Sequence, residues 1–150
     1  MALAVRQARL DDLDALAGLF DGYRIFYGKS SDVASARAFL AERLRLGDSV
    51  IFVAEAGGGP VGFTQLYPSF SSVGMGRTFI LNDLFVGPEG RGSGVGAALV
   101  EAASDFARAA GAIRLTLSTQ RDNRSAQSLY EKLGWLRDEQ FCVYNLQLAD

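Results

Sequence analysis

One glycine-rich segment constrains this chain more than any other feature. It spans Val86 to Ala97 and reads VGPEGRGSGVGA, and the apolar run TFILNDLFV leads directly into it. A strand, a glycine turn and a helix, in that order, present free backbone N–H groups and the positive end of a helix to phosphate oxygens. The segment therefore predicts a site for a phosphorylated cofactor; the alternative is a glycine-rich turn that only packs tightly.

Two other phosphate-site motifs are excluded by their context. GSGVGA fits a dinucleotide fingerprint, which needs an acidic residue about 20 residues further on, at the end of the next strand. Here that strand ends LTLSTQ, and a hairpin precedes the glycines where a Rossmann domain would have βαβ units. YGKS at Tyr27 to Ser30 resembles the end of a P-loop, but the preceding glycine is misplaced. We therefore expect neither a nicotinamide site nor a P-loop.

Composition narrows the class of protein and its partners. The 150 residues are 49% hydrophobic and 21% charged, which is typical of one globular domain spanning residues 1–150. A net charge of −2 gives no footprint for nucleic acid, and no run approaches the roughly 18 apolar residues of a membrane span. We expect no nucleic acid and no membrane as partners.

The single cysteine and the absence of histidine limit the available chemistry. Cys142 has no partner for an internal disulfide, which suits a reducing, cytoplasmic setting, and we expect it to be a small core residue on the last strand. The absence of histidine removes Ser-His-Asp and Cys-His nucleophiles and histidine-ligated metals, so no metal site is predicted. Acid–base chemistry is left to Asp, Glu, Tyr, Lys or water.

Hydrophobic periodicity predicts the element order β, α, α, β, β, β, α, β, α, β. The first helix is expected from a cap at Asp11 to about Phe26, and the second from Ser31 or Asp32 to about Leu46. Val50 to Ala56 and Val61 to Tyr67 read as an antiparallel hairpin, and PSFSSVGMGR as a flexible connection. The remaining elements are strands at TFILNDLFV, IRLTLS and QFCVYNLQL and helices at Val95–Ala110 and NRSAQSLYEKLG.

Two motifs together resemble the GNAT superfamily of acyl-CoA-dependent N-acetyltransferases. LNDLFVGPEGRGSGVGAAL is similar to its cofactor motif R/Q-x-x-G-x-G/A, matched at Arg91, Gly94 and Gly96, and NRSAQSLYEKLGW is similar to its second signature. The resemblance implies an α/β (mixed α+β) fold with a mostly antiparallel central sheet flanked by helices. FYGKSSD, QLYPSFSS and LNDLFV also resemble a subgroup that includes fungal histone, polyamine and D-amino-acid acetyltransferases.

The resemblance implies acetyl-CoA as the cofactor and assigns residues to it. The backbone of the strand before the glycines would pair with pantetheine like an added strand, the glycine loop would hold the pyrophosphate, and two residues of the last helix would lie near the thioester. Tyr130 also fits a core position on that helix. The implied cofactor-binding residues are Leu84, Phe85, Val86, Arg91, Gly92, Ser93, Gly94, Val95, Gly96, Asn123 and Tyr130.

The expected reaction is direct attack of an amine on the acetyl group in a ternary complex. Tyr130 is the candidate general acid for the departing thiolate, because a phenol donates to a thiolate at modest cost. Asp83 is the candidate base, directly or through water; a strand carboxylate bonded to neighbouring backbone is the alternative. Asn82 stands where the polyamine enzymes carry glutamate, so it orients water or binds substrate, and the identity of the base stays open.

The acceptor is expected to be a small-molecule amine, either an amino acid or polyamine-like. Alternatives are a protein lysine or N-terminal amine, a noncatalytic acyl-CoA sensor, and a nucleotide-phosphate-binding regulator. The apolar QFCVYNLQL needs cover at a sheet edge, which suggests a homodimer. The weaker substrate-site candidates are Tyr23, Arg24, Tyr27, Tyr67 and Phe70.

Overall fold

The computed structural model describes residues 2–149. The chain forms two compact units, which divide between Ser118 and Thr119. Within the described residues, no helix is both long and apolar enough to cross a membrane.

The first unit is built on a five-stranded sheet in the order β1-β2-β3-β4-β5. The first three pairings are antiparallel, and only β5 runs parallel to its neighbour β4. The expected mixed and mostly antiparallel sheet is confirmed. The strands are β1 Ala4–Gln7, β2 Val50–Ala56, β3 Gly59–Ser71, β4 Gly76–Val86 and β5 Arg114–Leu117.

The helices α1 Leu13–Phe26, α2 Val33–Leu46 and α3 Val95–Ala109 belong to the same unit. Both ends of α2 are where the sequence predicts them: the Asp32 carboxylate accepts the Ser35 N–H at 3.1 Å, and Gly47 ends the helix in the left-handed region. The expected cap at Asp11 is wrong, because a short 3₁₀ turn occupies Leu10–Asp12 and α1 begins after it.

Helices cover both faces of the sheet. Val53 and Ala54 are successive β2 residues, so their side chains point to opposite faces. Val53 packs in a core with Leu16 of α1 and Leu40 of α2, whereas Ala54 packs in a second core with Leu99 of α3. All five side chains are fully buried. The strand pleat thereby separates an α1/α2 side of the sheet from an α3 side.

The β3–β4 hairpin is longer than expected. The segment PSFSSVGMGR is not a flexible connection: Pro68 to Ser71 extend β3, Gly76 and Arg77 begin β4, and only residues 72–75 lie between the strands. Phe70 pairs with Arg77 across the hairpin, and the guanidinium lies 4.9 Å from the ring centroid. Cross-strand contacts therefore order residues whose composition is typical of a loop.

The second unit contains α4, Arg124–Lys132, as the sequence predicts. The predicted last strand QFCVYNLQL is wrong for this structure, because residues 136–149 form neither helix nor strand. Cys142 is exposed, which also contradicts its expected place in the core. Alternating apolar residues are compatible with a strand, but a strand forms only where a partner backbone accepts its hydrogen bonds.

Candidate active site

The end of β4 reaches past its parallel neighbour. The β4–β5 pairing covers Thr78–Leu81 of β4 and ends at the pair Leu81 and Leu117, while β4 remains paired to β3 up to Val86. Residues 82–86 thus form an edge of the sheet in the first unit. Such an edge offers backbone groups to an extended ligand, as the expected pairing of Leu84, Phe85 and Val86 requires.

A β-bulge lies at the start of this edge. The register changes from Gln65 opposite Asp83 to Leu66 opposite Leu81, which leaves Asn82 as the extra residue of β4. Bulges redirect side chains and are frequent beside active sites. Asn82 is exposed here, whereas only 2% of Asp83 is exposed. The bulge therefore places two consecutive polar residues in different environments.

The glycine loop continues from this edge into the N-terminus of α3. Gly92 and Gly94 have φ values of +80° and +77°, which glycine adopts without strain, and nothing lies within 4 Å of where a side chain would begin at either position. The first N–H groups of α3 have no partner within the helix, and its dipole favours an anion there. The loop therefore combines an open surface with donors suited to phosphate.

Three predicted loop residues differ in what they offer. Ser93 is exposed, but the Val95 side chain is 2% exposed and packs in the α3-side core, so only its backbone faces the loop. The Arg91 Nε donates to the carbonyl of Val86 at 3.1 Å. This contact ties the loop to the edge of β4.

Asp83 is held by amide donors and is kept from water. The Gln65 Nε2 donates to its Oδ2 at 2.6 Å, and the Asn82 Nδ2 donates to its Oδ1 at 2.9 Å. Burial raises the pKa of Asp83, and hydrogen bonds from Asn82, Gln65 and Tyr23 partly oppose that rise. A buried carboxylate with a raised pKa and no cationic partner among these groups is suited to accept a proton.

Aromatic residues of α1 lie over Asp83. The Tyr23 hydroxyl donates to the Asn82 carbonyl at 3.1 Å, and its ring lies 5.1 Å from that of Tyr27 and 6.4 Å from that of Phe85. Burial and the Asp83 charge raise the pKa of Tyr23 and Tyr27, and they raise that of Tyr67 to about 12. The structure thus brings three of the five predicted substrate-site residues to Asp83.

The other two substrate-site candidates lie elsewhere. The charge of Arg24 helps to lower the pKa of Asp21 and of Asp32. Phe70 is 71% exposed and lies five residues beyond Gln65 on β3, about 17 Å at the usual rise of a strand.

Gln65 and Ser49 were not predicted as site residues. The Ser49 hydroxyl donates to the Gln65 Oε1 at 2.8 Å, and the Gln65 side chain is fully buried. One signal was available in the sequence: Thr64 and Gln65 are polar neighbours inside the apolar run of β3. A buried amide in such a run requires polar partners.

In the second unit, Asn123 and Tyr130 lie at the two ends of α4. The Asn123 Oδ1 accepts the Ala126 N–H at 3.2 Å and caps the helix. Tyr130 is buried, and its ring centroid lies 5.9 Å from that of Trp135. Asn123 therefore has a structural role in addition to the one that the resemblance implies.

Comparison with known proteins identifies the family. The model of the Acetyltransferase (GNAT) family matches residues 16–135. The chain is 51% identical to "Uncharacterized N-acetyltransferase YhfO" of Bacillus subtilis (strain 168) over 96% of this chain and 97% of that protein. A crystal structure of a probable acetyltransferase superposes with a TM-score of 0.92 at 44% identity, covering 98% of this chain and 99% of the other.

A more distant structure shares the fold alone. An aminoglycoside N-acetyltransferase in complex with CoA superposes with a TM-score of 0.81 at 21% identity, covering 98% of this chain and 96% of the other. The family match covers most of the chain, including the β4 edge, the glycine loop and α4. The chain belongs to the Acetyltransferase (GNAT) family and is an N-acetyltransferase of that family.

Proposed function

We propose that this enzyme transfers an acetyl group from acetyl-CoA to the primary amine of a small molecule, an amino acid or polyamine-like compound, in a ternary complex. The observation that carries the proposal is the buried Asp83 carboxylate, which lies beside the bulge at the start of the β4 edge that leads into the glycine loop. FYGKSSD, QLYPSFSS and LNDLFV resemble a subgroup in which the polyamine and D-amino-acid enzymes acetylate small amines, and the histone enzymes leave a protein lysine as the runner-up.

The residues present fit acetyl-CoA, which supplies an activated acetyl thioester when bound. The N–H groups from Arg91 to Gly96 would hold the pyrophosphate, since Gly92 and Gly94 adopt positive φ values without strain and have no side chain to occupy the open space beside them. The backbone of residues 84–86 would pair with the pantetheine arm. Asn123 caps α4 with its carbonyl end, and its NH₂ end is the donor we assign to the cofactor.

Asp83 is the proposed general base. Because only 2% of the residue is exposed, we infer that the substrate ammonium loses its proton to Asp83 through a bridging water or the Tyr23 hydroxyl, not by direct contact, and that the neutral amine then attacks. The exposed Asn82 would orient that water or the amine. The raised pKa of Asp83 makes its carboxylate a stronger base than an exposed aspartate.

Tyr130 is the proposed general acid for the departing thiolate. Phenol and thiol have ordinary pKa values of about 10 and 8.5, so the proton transfer costs little if the hydrogen bond forms as charge develops on sulfur.

The environment of Asp83 favours a cationic acceptor. The rings of Tyr23, Tyr27 and Tyr67 and the carboxylate itself attract an ammonium group. We place the three tyrosines at the acceptor amine. Arg24 and Phe70 would contact parts of the substrate farther from that amine. The runner-up acceptor is a protein lysine or N-terminal amine, which the same rings would also receive.

We further propose that residues 1–150 form one N-acetyltransferase domain that works in the cytoplasm as a homodimer. The family match crosses the division between the two units. The C-terminal segment exposes Phe141, Val143 and Leu146 by 77%, 81% and 83%. We infer that the same segment of a second copy covers them about a twofold axis.

Two measurements test this proposal. Calorimetry should detect acetyl-CoA binding, and thiol release should then depend on one amine class in a panel of polyamines, D- and L-amino acids, aminoglycosides and basic peptides. Turnover only with peptides would favour the protein substrate, and binding without turnover on any amine would favour an acyl-CoA sensor. Light scattering should give twice the mass of one chain, and Val143→Lys should reduce it to that of a monomer.

A further inference from the structure

Two linked hydrogen bonds, one buried and one partly buried, lie behind Asp83 and extend to the far side of β3. The Ser49 hydroxyl donates to the Gln65 Oε1 at 2.8 Å, and the Gln65 Nε2 donates to the Asp83 Oδ2 at 2.6 Å. Gln65 is fully buried and stands directly opposite Asp83 in the β3–β4 register. The two side chains are therefore cross-strand neighbours on one face of the sheet.

We propose that Gln65, held by Ser49, is a positioning residue that sets the orientation and protonation of Asp83 during acetyl transfer. The inference rests on the proposed role of Asp83 as the base. Gln65 does not touch the reacting amine in this scheme, because it lies behind the carboxylate.

Because an amide both donates and accepts, the Ser49–Gln65–Asp83 hydrogen bonds can form with Asp83 either ionised or protonated. With Asp83 ionised, Ser49 donates to the amide oxygen and the amide NH₂ donates to the carboxylate, as observed. When Asp83 takes up the substrate proton, a half-turn of the amide lets the carboxylic acid donate to Oε1, while the NH₂ donates to the Ser49 oxygen. The buried side chains of Gln65 and Asp83 then keep a partner in both states, which avoids the cost of an unsatisfied polar group.

The other groups near Asp83 are neutral, or they bond to atoms other than the Oδ2 that Gln65 contacts. The titratable groups that face it are Tyr23 and Tyr27 of α1 and Tyr67 of β3. Asn82 donates to the opposite carboxylate oxygen. Arg43 of α2 and Asp48, which carry charge on the Ser49 side, pair with each other at 2.7 Å. A change at Gln65 therefore removes a donor to Oδ2 without removing a charge.

Gln65→Met tests the proposal, because it keeps the volume and removes the donor. The amide stabilises the ionised carboxylate, so its loss should raise the Asp83 pKa and move the acid limb of the kcat/KM profile upward by about 1 pH unit. Ser49→Ala should move the acid limb in the same direction by a smaller amount. Ser49→Thr, which keeps the hydroxyl, should leave the limb where it is in the parent enzyme.

Thr64→Val is the matched control. Thr64 is the neighbouring fully buried residue of β3, and its hydroxyl donates to the Asp83 backbone carbonyl at 2.8 Å, not to the carboxylate. This variant should lose stability without moving the acid limb. An equal shift in Thr64→Val and Gln65→Met would overturn the proposal, since it would mean that packing alone controls Asp83.

Titration of the Asp83 side-chain carbon by ¹³C NMR separates this proposal from the proposed function. An upward shift of the Asp83 titration in Gln65→Met, or in Ser49→Ala if the former does not fold, supports the positioning role whatever the enzyme acetylates. An unmoved titration refutes it. A moved titration with an unmoved acid limb supports the control of Asp83 by Gln65 and removes Asp83 as the base.

Discussion

Asp12 and Asp83 are both buried aspartates, 8% and 2% exposed, yet their surroundings shift the pKa of the two carboxyl groups in opposite directions. The Asp12 carboxylate accepts from Arg6 at 2.7 Å and from the Arg9 N–H at 2.7 Å, and these partners lower its pKa to about 2. Asp83 has amide partners, and burial raises its pKa. Burial alone therefore does not determine what a carboxylate does. A cationic partner makes it structural, whereas neutral donors leave it able to accept a proton.

The pair Asp83→Asn and Asp12→Asn should separate these roles most strongly. Asp83→Asn keeps the shape but removes the base, so we expect kcat to fall by 10²- to 10⁴-fold, on the order of a general base's contribution, with acetyl-CoA affinity retained. Asp12→Asn should keep its kcat and lose stability. Steady-state kinetics and thermal unfolding of both variants measure kcat and stability. Equal losses of kcat would contradict the assignment of a catalytic role to Asp83 and a structural role to Asp12.

Gly94→Asp should cause the next largest effect, through cofactor binding instead of proton transfer. A carboxylate in the loop meets the pyrophosphate with like charge, and we expect acetyl-CoA affinity to fall by on the order of 100-fold, or about 3 kcal/mol. Gly58→Asp is the matched control, because its φ of +100° and open surroundings impose a similar backbone strain in the β2–β3 turn. Calorimetry should show an effect only at Gly94.

Tyr130→Phe examines the other end of the proton path. Losing the phenol should lower kcat by roughly tenfold to a hundredfold and leave acetyl-CoA affinity unchanged, since water replaces the acid less efficiently. Leu129→Met provides a control on the same helix. If kcat stays at the level of the parent enzyme, the thiolate obtains its proton from another group. Of the two proposed proton-transfer residues, only Asp83 would then be required for turnover.

The pH dependence of stability should show the smallest effect, with opposite signs for the two aspartates. The lowered pKa of Asp12 stabilises the fold above its unfolded value of 3.8, by about 1 kcal/mol after solvent screening, and this contribution is lost as the pH falls toward 2. The raised pKa of Asp83 makes its contribution most favourable at low pH, and it declines as the pH rises. Urea unfolding of Asp12→Asn and Asp83→Asn against the parent, from pH 2.5 to 8, measures both slopes; parallel slopes would contradict this account.

Motif reasoning predicts one half of the proposed site more fully than the other. The glycine loop follows from Arg91, Gly94 and Gly96, because conformation and backbone donors there depend on residue type over a few positions. Asp83 was singled out by its place on the strand, but Gln65 and Ser49 were not. Gln65 reaches Asp83 only because the bulge at Asn82 sets it opposite, and Ser49 is linked to Asp83 through Gln65; no local pattern encodes that register.

Local chemistry is sufficient for the helix ends at Asp32 and Gly47, for the order of the elements from β1 to α4 and for the open glycine loop, because each depends on neighbours along the chain. Long-range pairing decided the rest: the ordered hairpin at Phe70 and Arg77, the unpaired state of residues 136–149, and the opposite environments of Asp12 and Asp83. Such features depend on which distant backbone or side chain comes opposite, and only the folded chain brings those groups together.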